Sequence, residues 1–146
     1  AIAPMLGTFS LIALTIGYLL GIVFVPKYID QSKALALSAI LGIVFATFAI
    51  ITQGMTSIIF IILLSFSHAI MWPSIWPLSI DKLGSHTALG SALLIMAIAG
   101  GAILPLLYGS FVDLLGGDRQ LPYIMLLPCY AMIFYFSIWG HKVGKK

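Results

Sequence analysis

The sequence predicts an all-α polytopic membrane protein, a bundle of five transmembrane helices, and three observations predict it. Hydrophobic residues make up 62% of the 146 and charged residues 8%, against roughly 25% charged in a soluble domain. A chain this short cannot hide so much apolar surface in one core, because small domains bury only roughly two-thirds of their surface. The excess faces lipid. The apolar residues also gather into runs of about 20, the length that crosses roughly 30 Å of hydrocarbon, and short polar loops separate the runs. Such runs lack the two-residue alternation of a membrane barrel and so read as helices.

Five spans are expected, at about 5–25, 35–52, 56–80, 88–112 and 121–140. The second is short and the third and fourth are long, which tilt absorbs. The loop Pro26–Lys33 follows the first span, Thr52–Thr56 the second, Asp81–Thr87 the third and Asp113–Gln120 the fourth. No linker or soluble domain interrupts them, so residues 1–146 read as one membrane unit.

The basic residues set an orientation. Five crossings place the first loop, the third loop and the C-terminal tail on one side, with Lys27, Lys33, Lys82, Lys142, Lys145 and Lys146. The other side carries only Arg119. By the positive-inside rule the tail is cytoplasmic and Ala1 is external. The opening Ala1-Ile2-Ala3-Pro4 has no basic n-region, and the first apolar run exceeds a signal h-region. An external start without a signal leads us to expect at least one more helix ahead of Ala1.

Composition narrows the chemistry. The basic residues sit at helix ends and are not interleaved with exposed aromatics, so no nucleic-acid partner is indicated. One cysteine, Cys129, lies in an apolar run, which leaves neither a disulfide framework nor a cysteine metal site. There is no phosphate-binding glycine loop. No carboxylate falls in mid-span, and His68, His86 and His141 lie at different levels, so an intramembrane enzyme is not expected. No cofactor or metal is expected.

Two patterns inside the spans stand out. Small residues recur at four-residue spacing in the fourth span as Ala97, Gly101, Pro105 and Gly109, with Gly100 alongside, and in the first as Gly17 and Gly21. Such stripes let helix backbones approach closely, and plain packing accounts for them as well as any hinge does. In the third span Ser65, His68, Trp72 and Trp76 follow at separations of three, four and four, so one helical face carries them all. Pro73 and Pro77 each remove a backbone hydrogen bond and bend that helix. An ionisable residue in mid-span faces a bundle interior or a water-filled cavity, and His68 is the deep one here. Two roles are open to it: lining a cavity, or bonding to a neighbouring helix, with the tryptophans then at an interface belt.

The stretch Ser67-His68-Ala69-Ile70-Met71-Trp72-Pro73-Ser74-Ile75-Trp76-Pro77-Leu78-Ser79-Ile80, then Leu83-Gly84-Ser85-His86-Thr87, resembles the tenth helix and following loop of a major facilitator subgroup. That subgroup is the fucose–proton symporter family, in particular its glucose/galactose transporter branch. Gly90–Met96 and Gly100–Gly109 resemble its eleventh helix, and Pro128-Cys129-Tyr130 with Gly140-His141-Lys142 the end of its twelfth. The resemblance covers residues 65–142 well and the first two spans loosely.

It implies that the chain is the C-terminal part of a twelve-helix transporter, helices eight to twelve, whose missing N-terminal helices complete the bundle. It further implies secondary transport of a monosaccharide (glucose/galactose or fucose-like) across the bacterial inner membrane by alternating access, with the proton as coupling ion. The acidic groups that couple the proton would lie in the N-terminal half. His68, Trp72, Ser65 and Trp76 are the expected sugar-binding residues. Pro73, Pro77, Gly100, Gly101 and Pro105 are the expected hinge and packing positions. Where many relatives have asparagine before Ala-Ile-Met, this chain has His68, which can bond a sugar hydroxyl and can also titrate. The competing expectation is a small membrane subunit that acts as a structural partner and holds no transport site.

Overall fold

A computed structural model describes residues 3–144. Lys145 and Lys146, two of the six basic residues used for orientation, lie outside the described residues, as do Ala1 and Ile2. The described residues form helices α1 (Ala3–Phe24), α2 (Gln31–Ile51), α3 (Gly54–His68), α4 (Met71–Ile80), α5 (Thr87–Ala97), α6 (Gly100–Leu114) and α7 (Leu126–Ile138), with no strand. Five candidate spans result: Met5–Phe24, Gln31–Ile51, Gly54–Ile80, Gly84–Leu114 and Leu121–Ile138.

The boundaries shift where loop chemistry and helix chemistry overlap. The second span begins at Gln31 rather than near 35, because Gln31-Ser32-Lys33 forms the first turn of α2 and Lys33 Nζ reaches back to Asp30 Oδ2 at 3.0 Å. The fourth span begins in a 3-10 turn, Gly84–His86, where Thr87 Oγ1 donates to the Gly84 carbonyl at 2.7 Å. The fifth span opens with 3-10 turns at Leu121–Met125, as Asp118 Oδ1 accepts from the backbone N–H groups of Gln120 and Leu121. It ends at Ile138 rather than near 140.

The second span is the hub. α2 packs against α3, α4 and α7, and it can do so because its buried face is built from small residues: Ala34, Ser38, Ala39, Gly42, Ala46 and Ala49, with Leu35. Lipid tails are as apolar as leucine, so helices associate in a membrane by close van der Waals contact and hydrogen bonds, which small side chains permit. Phe48 and Phe60 stack across α2 and α3 at 5.0 Å between ring centroids. One polar knot joins three spans at the end opposite the basic loops. Ser57 Oγ donates to the Ala49 carbonyl at 2.7 Å, and Gln120 Nε2 lies 2.6 Å from Ser57 Oγ, 3.0 Å from the Thr52 carbonyl and 3.2 Å from that of Ala49. The amide thus serves the carbonyls left open at the end of α2.

The first span packs on the third through its glycines. A Cβ on Gly17 would lie 2.6 Å from Ala69 Cβ and 2.9 Å from the Phe66 carbonyl oxygen, and one on Gly21 would lie 3.1 Å from Ile70. The fourth span behaves otherwise. Neither α5 nor α6 has a buried residue, and nothing stands within 4 Å of a Cβ placed on Gly100, Gly101 or Gly109. Its small-residue stripe is uncovered by the described residues.

Candidate functional site

The third and fourth spans are both broken helices. The third breaks at Ala69-Ile70, between α3 and α4, and the cause lies four residues on. Pro73 has no N–H for the Ala69 carbonyl, and its ring presses on that carbonyl, so the Ala69 N–H turns to Phe66, three residues back, at 3.3 Å. The fourth breaks at Ile98-Ala99, between α5 and α6. Here Ile98, Ala99, Gly101 and Ala102 each donate three residues back, at 2.8–3.1 Å. The Gly100-Gly101 pair adjoins this break, and Pro105 withholds a donor from the Gly101 carbonyl. Of the expected hinge positions, Pro73, Gly100, Gly101 and Pro105 therefore flank the two breaks, while Pro77 lies within α4.

The two breaks lie at one level. α4 has 10 residues and α5 has 11, and both start from the loop between Ile80 and Thr87; α3 and α6 have 15 each on the far side. At 1.5 Å per residue α4 and α5 carry the chain about 15 Å and about 16.5 Å from that loop to the breaks. α4 and α5 touch one another.

His68 is the last residue of α3, directly at the third-span break. Its Nε2 lies 2.6 Å from the hydroxyl of Tyr130 in α7, with the rings 5.7 Å apart at 32°. The imidazole tautomer decides which partner donates. Tyr130 is 2% exposed, and its ring lies over Gly42 of α2. Three helices thus hold one histidine nitrogen, while the rest of the His68 side is exposed and Nδ1 makes no hydrogen bond among the described residues.

Trp72 is exposed as well, 41%, and its ring pairs with that of Trp76 at 5.8 Å and 58°. Trp76 and Ser65 are half-buried. His68 and Trp72 of the third span are thus both exposed, with Trp76 against Trp72. A cleft of about 160 Å³ at the break is lined by Tyr18, Gly21, Gln31, Ala69, Pro73 and Ser74 among others, and neither His68 nor Trp72 lines it. The arrangement can offer hydrogen bonds from an oriented imidazole and an aromatic face, the two contacts a sugar ring takes. No group of three or more metal-ligating side chains occurs among the described residues.

Sequence reading missed Tyr130 as the partner of His68, and with it Gly42. A tyrosine deep in the last span and a glycine in mid-α2 were the available signals, but pairing them requires the helix arrangement. Of the two roles left open for His68, the bond to a neighbouring helix is the one found, and His68 does not line the cleft at the break.

The chain is 37% identical over 116 residues to a glucose/galactose transporter of Brucella abortus, which covers 80% of this chain and 28% of that protein. It is 35% identical over 130 residues to a putative glucose/galactose transporter of Helicobacter pylori, 87% of this chain and 32% of that protein. It is 29% identical over 132 residues to an L-fucose-proton symporter of Escherichia coli, 89% of this chain and 29% of that protein. No protein-family model matches the chain and no solved structure does. The chain spans about 28–32% of the length of these relatives. Over that stretch the five-span helical bundle belongs to the glucose/galactose transporter and fucose–proton symporter family of the major facilitator superfamily.

Proposed function

We propose that the chain forms one wall of a monosaccharide pathway in a secondary transporter that works by alternating access, with His68 and Trp72 as the sugar contacts. The observation that carries this is the placement of His68. It stands at a helix break within an apolar span, one nitrogen bonded to Tyr130 and the residue exposed. Broken helices at the midplane are where secondary transporters place their substrates, and irregular backbone at membrane depth is tolerated where it is buried in protein or lines a cavity. The names of the relatives supply the substrate class, a hexose or fucose-like sugar.

In this reading His68 bonds a sugar hydroxyl through its free side and Trp72 covers the apolar face of the ring, with Ser65 and Trp76 next to them. The other wall comes from helices outside this chain, and the uncovered face of α5 and α6 is where such helices would pack. Coupling is to a proton whose acidic carriers belong to those helices. The lysines of the first loop, the third loop and the tail, against Arg119 on the other side, support a cytoplasmic C-terminal tail by the positive-inside rule, and in this reading the membrane is the bacterial inner membrane. The test is exchange of labelled galactose by proteoliposomes carrying the full-length protein. His68→Ala and Trp72→Ala are expected to abolish exchange at low sugar while leaving the protein folded in the membrane. Unchanged exchange in both variants would remove these residues from the pathway.

A further inference from the structure

At the end of the bundle that holds the basic residues, a cleft of about 200 Å³ opens between the third span and the C-terminal turns; its lining includes Ser79, Lys82, Leu83, Phe136, His141 and Val143. Its walls are mixed. Leu83, Phe136 and Val143 give an apolar side, Lys82 and His141 a basic one, and no acidic side chain is among the lining residues. The exposed pair Tyr135 and Trp139, with rings 6.0 Å apart, stands at the C-terminal end of α7 and just past it. Such aromatics mark the level of the lipid headgroups.

The ordinary task of basic side chains here is to cap the carbonyls at a helix end. His141 does so, because its Nδ1 lies 3.0 Å from the Phe136 carbonyl, which can only accept. Lys82 does not: no hydrogen bond or ion pair engages it among the described residues. Its backbone sits at φ 60, and it is the non-glycine residue with positive φ among those described. That region disfavours residues with a Cβ, and glycine stands two positions away at Gly84. Lys82 thus stands in a strained turn, without a partner among the described residues, on the wall of a half-apolar cleft.

We infer that this cleft binds the headgroup of an anionic phospholipid, with Lys82 on the phosphodiester and the Leu83–Phe136–Val143 side against the glycerol and upper acyl chain. Basic pockets between spans at the headgroup level suit that ligand. The inference does not depend on the sugar reading.

The test uses the full-length protein in detergent, with lipid retention read by native mass spectrometry for phosphatidylglycerol and phosphatidylcholine. The protein is expected to retain phosphatidylglycerol selectively. Lys82→Gln should lower that retention about fivefold, the factor that one basic side chain near an anionic surface is worth. Lys82→Arg should preserve it. Lys27, at the same end but seated 5.3 Å over the Tyr28 ring, serves as the control, and Lys27→Gln should change nothing. Equal retention of the two lipids, an unaffected Lys82→Gln variant, or an equal loss in Lys27→Gln would overturn the site. Displacement of the lipid by millimolar inorganic phosphate would overturn the lipid as occupant in favour of a free anion.

Discussion

The Tyr130 ring occupies the space where residue 42 would carry a side chain: a Cβ on Gly42 would lie 2.8 Å from Cε1 and 2.9 Å from Cδ1. Contacts that short are not tolerated by a close-packed interior, so the glycine is what lets the phenol sit flat on α2 and reach His68 at 2.6 Å. Gly42→Ala is therefore expected to push the ring aside, at a cost of about 1–3 kcal/mol. Thermal melting of the purified protein checks this. Adding Tyr130→Leu to Gly42→Ala should recover part of the loss, since the rigid ring is then gone.

Tyr130→Phe keeps the ring and removes only the hydroxyl. Hydrogen bonds between membrane helices average about 0.6 kcal/mol, with a maximum of about 1.7, so stability should fall by no more than that. The larger effect is expected in sugar affinity, because His68 loses the contact that orients it. In a double-mutant cycle His68→Ala should make Tyr130→Phe silent. Full additivity of the two losses would show that Tyr130 acts apart from His68.

Pro73→Ala returns an N–H to the Ala69 carbonyl and lets α3 run on into α4. An interior proline costs a helix about 3 kcal/mol, so the variant should be as stable as the parent or more so. Transport should nonetheless fall, because His68 and Trp72 are then set on one straight helix. Normal uptake by the stable variant would mean that the break has no part in function.

Two glycines of similar sequence context should respond in opposite ways. Gly17→Ala brings a methyl to 2.6 Å from Ala69 Cβ and 2.9 Å from the Phe66 carbonyl oxygen, and a backbone atom cannot step aside cheaply; a loss of about 1–3 kcal/mol is expected in melting. Gly101 meets nothing within 4 Å. Gly101→Leu should leave the level of folded protein unchanged, and if the fourth span packs on moving helices of the full-length transporter it should reduce uptake.

The membrane class and the number of spans were legible because they follow from composition and run length alone. The hub role of α2 was not. Its close-packing face mixes Ala34, Ser38, Gly42 and Ala46 at four-residue spacing with Ala39 and Ala49, and with one glycine among them it does not stand out from the apolar run, whereas the visible glycine stripe of the fourth span covers nothing among the described residues. The spacing of His68 and Trp72 assumes one straight helix, but the chain breaks between them at Ala69-Ile70; both are exposed. The position of the break was legible only in part: Pro73 announces a bend, but the chain opens at Ala69-Ile70, where the carbonyl that proline cannot serve is found. Partners distant in sequence, such as His68 with Tyr130 or Gln120 with Ser57, leave no local signal.

The central claim, a proton-coupled sugar pathway built partly from this chain, is tested most directly by uptake of labelled glucose, galactose and fucose. Cells expressing the full-length protein, with and without a proton uncoupler, are the material. The account predicts accumulation of one of these sugars that collapses when the uncoupler is added. No uptake of any of the three, with the protein confirmed in the membrane, would contradict it.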